Sequence, residues 1–273
     1  MSNRIILIVV GLMLLISAAA AAGVGNQISV SVHDEAEGNY ASGEVLIVQD
    51  VDVANNVEGN YNNVEQNIDL YANFNFLEGS EDQLTTITQQ AIVMGNVSGN
   101  YNNLNQNLLM SACNNDLTNS NMSQKATQTA DIIGSYNDVS QSTYVDSHDN
   151  VLTQSDLGQF SALKSFVYGN HNIVDQCAEQ LVEYDSLTGS TEWQLIEMPV
   201  SIIGSRHKLT QNAREYSKGN SFTAGAVKGQ KILAAATPYG IENSAVHDIT
   251  LKETDSSMVG GILVQESKVI SKL

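Results

Sequence analysis

The chain has 273 residues, with Lys+Arg 12 against Asp+Glu 30 and a formal net charge of −18. That acidity repels phosphate backbones and disfavours nucleic-acid binding, while a charged fraction of 15% with only 2 Pro is unlike a solvated disordered chain and suits long backbone pairing. The 2 Cys exclude a disulfide-dense scaffold and any multi-cysteine metal site.

Taken in chain order, Met1–Val24 reads as a secretory signal. Arg4 gives the positive start, Ile5–Ile16 is nearly all apolar, and Ser17–Ala22 is a small-residue cleavage zone. The alternative is an uncleaved anchor, since the apolar and alanine stretch approaches spanning length. The alanine-rich second half favours cleavage near Ala22, so residues 1–22 are read as a signal peptide. No second apolar run of spanning length follows, so the mature chain is expected to be exported without a membrane span. Segment 23–45 contains the strand-like Ile28–Val32. Asn96-Val97-Ser98 and Asn121-Met122-Ser123 are glycosylation sequons, meaningful only outside the cell.

Residues 46–252 carry an internal repeat. Gly59-Asn60-Tyr61-Asn62-Asn63-Val64-Glu65-Gln66 returns as Gly99-Asn100-Tyr101-Asn102-Asn103-Leu104-Asn105-Gln106, then from Gly134 to Gln141 and from Gly169 to Gln176. Degraded copies start at Gly204 and Gly240, and the spacings between the glycines are 40, 35, 35, 35 and 36 residues. Gly38-Asn39-Tyr40 reads as a truncated first copy. Gly and Asn suit turns and disfavour helix interiors. After each turn the pattern alternates, as in Val64, Gln66, Ile68 and Leu70 against Glu65, Asn67 and Asp69, which is a half-buried strand. Another β-prone run precedes each turn, so a unit is strand, turn, strand and a polar linker of variable length.

Such a unit cannot bury its apolar face alone, so the copies must pack on one another. The expected fold is all-β: five to six rungs of stacked β-arches in a solenoid-like array of about 35-residue repeats. An antiparallel hairpin meander or sandwich stays open as the alternative. In-register stacking would align Asn62, Asn102, Asn137, Asn172 and Asn243 in one column. It would also align Gln66, Gln106, Gln141, Gln176 and Gln211 in an inward column whose amides bond along the stack. Tyr61, Tyr101 and Tyr136 would line the turn edge, either shielding the arch or presenting rings to sugars or another subunit. The tail 253–273 holds the strand-like run Gly261–Ile270, which could pair with a neighbouring subunit.

Little in the chain reads as reaction chemistry. His33, His148, His171, His207 and His247 show no His-x-x-x-His or Glu-x-x-His spacing, so they read as solvated or repeat-position side chains. No nucleophile elbow or phosphate loop occurs, so no catalytic residue, resident metal or cofactor is expected and the chain is read as a non-enzyme. Carboxylates such as Asp34, Glu35, Glu37 and Asp82 leave room only for diffuse Ca²⁺ bridging. Cys113 and Cys177 would sit two rungs, about 9.6 Å, apart, beyond the roughly 7 Å that a disulfide spans. Their natural use would be a bridge to another subunit.

Gly59-Asn60 with Gln66 seven residues past the glycine resembles the curlin repeat of secreted functional amyloids, over roughly Val57 to Leu251. Curlin units are much shorter, carry a further Gly and Gln ahead of this glycine, and favour a small residue where this chain has Asn62, Asn102 or Asn137. The secretion signal, acidity, two cysteines and long units together resemble the sheath proteins of filamentous methanogenic archaea, which build amyloid-like tubes around chains of cells. Either resemblance implies an extracellular protein that polymerises with itself into a sheath, fibre or envelope layer. A cell-surface adhesin or polysaccharide-binding solenoid is the alternative.

Overall fold

The computed structural model describes residues 7–10, 14–17, 21–42, 45–79 and 85–271. The described residues contain no helix, and their strands form three parallel sheets. The chain winds as a β-solenoid of about 7 turns of roughly 35 residues. The antiparallel alternative is therefore discarded.

One turn shows the plan. Thr85–Ser98 lies on a first long face, Asn103–Cys113 on a second, and the three-residue Asp116–Thr118 on a narrow third face. The next turn repeats this with Ser120–Ile133, Asp138–His148 and Val151–Thr153. Between these turns the registers do not slip: Leu104 pairs with Val64 below and Val139 above, and Gln106 with Gln66 and Gln141. Each second-face strand has 11 residues, from Gln27–Glu37 at one end to Ser244–Thr254 at the other. These seven strands number the rungs one to seven.

The segment read as a variable linker is thus the third face plus the start of the first. Strands such as Phe76–Glu78 or Asp116–Thr118 point a single apolar residue inward, Leu77 or Leu117, too little for a two-residue period to register. The extra length of the 40-residue spacing falls between Glu78 and Thr85, where residues 80–84 lie outside the described residues. The expected five to six rungs become seven because the first copy starts at Gly23, in register with Gly59, and not at Gly38. Gly38-Asn39 belongs instead to the corner between second and third faces, where Asn39 donates to Asn75.

The core runs the length of the solenoid in apolar compartments. Val57, Val64, Leu104 and Val139 fill the end under the glycine turns. Val51, Val53, Ile68 and Met110 fill the middle, and Ile47, Leu77, Leu117 and Phe222 fill the end beneath the third face. The inner rungs bury the same positions as their neighbours, so stabilisation accrues rung by rung.

The three short strands Leu7–Val10, Leu14–Ser17 and Ala21–Val24 run along the edge of Val45–Asn60, in the place of a first-face strand for rung one. The rest of the signal reading falls outside the described residues.

Candidate functional site

Inside the solenoid two rows of glutamine run parallel to the axis. On the second face Gln106, Gln141, Gln176 and Gln211 each donate Nε2–H to Oε1 of the glutamine one rung below, at 2.8–2.9 Å, starting from Gln66. The row stops at Val30 on rung one and His247 on rung seven. Sequence reasoning missed the longer row on the first face: Gln49, Gln89, Gln124, Gln159, Gln194, Gln230 and Gln265, bonded at 2.6–3.1 Å. Its residue numbers carry the glycine spacing unchanged, so the signal was available. The spare amide protons go across the core to backbone carbonyls, as from Gln89 to Ser111 and from Gln106 to Thr129. Satisfying both protons removes the roughly 1–3 kcal/mol that an unpaired buried amide costs.

The corners follow one rule, an exposed residue with positive φ followed by a buried one whose side chain bonds down the stack. At the glycine corner Tyr61, Tyr101, Tyr136, His171, Arg206 and Glu242 all have φ near +60°. After them come Asn62, Asn102, Asn137, Asn172, His207 and Asn243, and each asparagine Oδ1 accepts the N–H of the previous copy, as Asn102 Oδ1 does from Asn62 at 2.9 Å. His207 imitates the amide: Nδ1 accepts from the Asn172 N–H and Nε2 meets the Gly169 carbonyl. Burial holds its pKa below the usual histidine value, which keeps the neutral tautomer this needs. A second asparagine corner, Asn75, Asn115 and Asn150, escaped the sequence reading because glycine precedes the corner asparagine only at Gly38 and Gly219, too far apart to show the period.

Gly99, Gly134, Gly169, Gly204 and Gly240 share φ of +134° to +138°, with Gly59 at +117°. A Cβ on Gly134 would lie 1.8 Å from the Gly99 carbonyl oxygen. The glycine column is therefore dictated by the approach of one rung's backbone to the next as well as by turn conformation.

Tyr61, Tyr101, Tyr136 and His171 stack with ring centroids 4.7–5.1 Å apart and planes within 8° of parallel. Their faces are consumed by each other, leaving ring edges and hydroxyls outward. This favours shielding over sugar stacking. Of the sequon residues, Asn96 is exposed and Asn121 half-buried, both on the first face.

A charged cluster interrupts the core near rungs five to seven. Lys228 is fully buried, with Nζ 2.7 Å from Glu192 and 3.3 Å from Glu253, and it donates to Ser217. Glu192 and Lys228 stand where Ile47, Ile87, Met122 and Leu157 stand on earlier rungs. Burial raises the Glu215 carboxyl to about 9, against the pull of Lys228. Asp185 replaces asparagine in the second corner; burial raises it to about 8, although the Asn150 N–H and the Ser147 hydroxyl bond to it.

The sign of the resulting pH dependence follows. The ordinary values are 3.8 for Asp185 and 4.5 for Glu215, so the folded chain keeps protons that the unfolded chain releases. Their contribution is complete below those values and is lost as pH rises through about 8 and 9. Urea midpoints are expected to fall between mildly acidic and alkaline pH. Asp185→Asn, which restores the residue found at Asn150 and Asn220, should recover about 2 kcal/mol or more at the alkaline end. A midpoint flat with pH in the parent chain would contradict this.

Cys113 has the outward phase of its strand yet is buried at 8% exposure. Of the two cysteines read as bridging to another subunit, Cys113 is thus the less accessible and Cys177 the more accessible, half-buried on the second face. Cys113 Sγ lies 3.0 Å from His148 Nδ1, and the same nitrogen lies 2.9 Å from Asp146 Oδ2. Burial, with Asp146, Asp185 and Asp149 near, pushes the thiol up to about 11, so it is no activated nucleophile.

The two ends of the solenoid differ from its middle. Ile262–Ser271 pairs on one side only, with Val227–Tyr239, and Ile262, Leu263, Val264 and Val269 are 42–60% exposed. Rung seven likewise presents the free edge of Ser244–Thr254, and rung one that of Gln27–Glu37. No known protein family, curated protein or solved structure matches the chain.

Proposed function

We propose that this chain is a secreted structural protein that polymerises end to end by continuing its own sheets, building an extracellular sheath, fibre or envelope layer. The observation that carries this reading is the complementarity of the two open ends. Soluble solenoids protect their terminal rungs with polar caps or blunted edges, and here a bare apolar strand lies at one end.

Laying rung seven of one copy against rung one of the next keeps every column running. Following the observed registers, Gln265 would fall beside Gln49, Leu263 beside Ile47 and Val269 beside Val53. On the second face Lys252 would meet Glu35, and the Asn243 N–H would find the Asn26 side chain. The slot for Ile262–Ser271 on the edge of Val45–Asn60 is the one occupied by the strands of residues 7–24. Removal of the leader near Ala22 would clear it. Export would thereby be coupled to competence for assembly.

The test is to express the chain from Gly23 and examine it by electron microscopy and fibre diffraction. Ordered polymers with a meridional spacing near about 4.8 Å are expected. Leu263→Glu with Val269→Glu should slow elongation more than tenfold while leaving the circular dichroism of the monomer unchanged, because like the other end-facing groups they bury only in the polymer. A stable monomer across salt and redox conditions would overturn the reading.

A further inference from the structure

We propose that Cys113, Asp146 and His148 form a site for one zinc-class divalent cation, on the outer surface of the second face where rung three meets rung four. Cys113 and His148 are direct register partners, as are Ser111 and Asp146, so adjacent strands bring sulfur, nitrogen and oxygen donors to one point. The three donor atoms lie within 4.8 Å of one another. A tetrahedral zinc with bonds of about 2.3 Å to sulfur and about 2.0–2.1 Å to nitrogen and oxygen sets its ligands roughly 3.3–3.6 Å apart. The observed 2.9 and 3.0 Å contacts need open only by about half an ångström to reach that.

Hydrogen bonding satisfies the cluster only in part, although the Ser111 hydroxyl lies 3.0 Å from Cys113 Sγ and 3.4 Å from Asp146 Oδ2. One nitrogen, His148 Nδ1, lies between a thiol and a carboxylate and can give a single proton to one of them. The other Asp146 oxygen, Oδ1, is buried with no hydrogen-bond partner. Asp149, Asp185 and Glu183 add negative field around Cys113 and Asp146. A cation held by Sγ, Nδ1 and Oδ2 removes the competition for that proton and offsets the negative field.

On binding, the metal–sulfur bond forms as the thiol proton leaves to solvent. His148 takes the tautomer protonated at Nε2, freeing the Nδ1 lone pair for the metal. Three protein ligands leave the fourth position to water, and the half-exposed His148 side chain gives it access. The soft sulfur donor selects zinc-class ions over calcium or magnesium.

This departs from the sequence reading of no metal, which searched for short spacings; a 35-residue period replaces them here. The site stands independently of polymerisation.

Cobalt(II) titration of the chain from Gly23, held reduced and stripped of metal, is the direct test. Saturation at one ion per chain is expected, with a thiolate-to-cobalt charge-transfer band and the intense d–d bands of tetrahedral coordination. Zinc should displace both. Cys113→Ser should abolish the charge-transfer band and Cys177→Ser should leave it. Asp146→Asn, nearly the same size, should weaken zinc binding by more than about 100-fold, since even outer partners of metal ligands are worth 10–100-fold. No band in the parent chain, or a band that survives Cys113→Ser, would overturn the site, and the parent measurement does not depend on any variant folding.

Discussion

Gly134→Ala is expected to be the most damaging single-methyl change in the molecule. The new Cβ would lie 1.8 Å from the Gly99 carbonyl oxygen, at φ +138°, where side chains are strained whatever the space. Neither the oxygen nor the glycine can move alone, because Gly134 donates its N–H to Tyr168 and Gly99 donates to Ile133 in the same column. Relief would require prising two rungs apart across both long faces. A loss of about 4 kcal/mol or more is expected, read as a collapse of the urea midpoint or as failure to accumulate folded chain. Gly158→Ala is the control: nothing lies within 4 Å of its Cβ position. It should stay within about 0.5 kcal/mol of the parent. Equal effects at the two positions would refute the close-approach explanation of the glycine column.

The second large effect concerns the buried ion pair. Lys228→Met removes the only cation within bonding reach of Glu192 among the described residues and should cost about 3–5 kcal/mol, because a charge is left uncompensated in the core. Burial already pushes the Glu192 carboxyl upward despite Lys228, so the variant should recover part of its loss in acid, where that group is neutral. Pairing Lys228→Met with Glu192→Leu should reverse the loss. The double variant extends the row of Ile47, Ile87, Met122 and Leu157 through rungs six and seven. It should be at least as stable as the parent, since well-packed apolar replacements of buried pairs are often neutral or stabilising by about 1–4 kcal/mol. Glu253, on the last rung with 19% of its side chain exposed, is expected to swing its buried carboxylate out to water once Lys228 is gone. Additive losses in the double variant would show that the cluster contributes net stability.

The same geometry sets how far such a cluster reaches. In a stack with fixed register Glu192 and Lys228 fill two successive places of one first-face column, and the disturbance spreads across the core to Ser217, Glu215 and Glu253 on the facing strands. Rungs three and four, with Met110, Met122 and Val145 buried, hold no such ion pair in their core.

How much was legible in advance follows from what repeats. Gly99, Gly134 and Gly169, and Gln106, Gln141 and Gln176, each meet their own copy one rung away, so their demands are written into the sequence at the stacking period. The period, the turn and the inward glutamine could therefore be read from residues alone. The first-face row from Gln49 to Gln265 was equally written and went unread, because no glycine marks it. Strand direction was not written. A glycine-asparagine turn joins two strands whether they pair with each other or with the next turn, and only the closed path over a third face makes every pair parallel.

The sequence by itself determined a repeat-built β chain whose columns of Gly, Asn and Gln recur every 35 residues or so, because in-register stacking sets like against like. Only the tertiary structure decided which columns face each other across the core and which outward residues a corner covers. That placed Lys228 against Glu253 and Ser217 on the opposite face, and covered Cys113 beside its register partner His148. These pairings depend on the length of each face and the angle of each corner. Both are set by how the whole turn closes on itself, a distance that no local pattern of residues encodes.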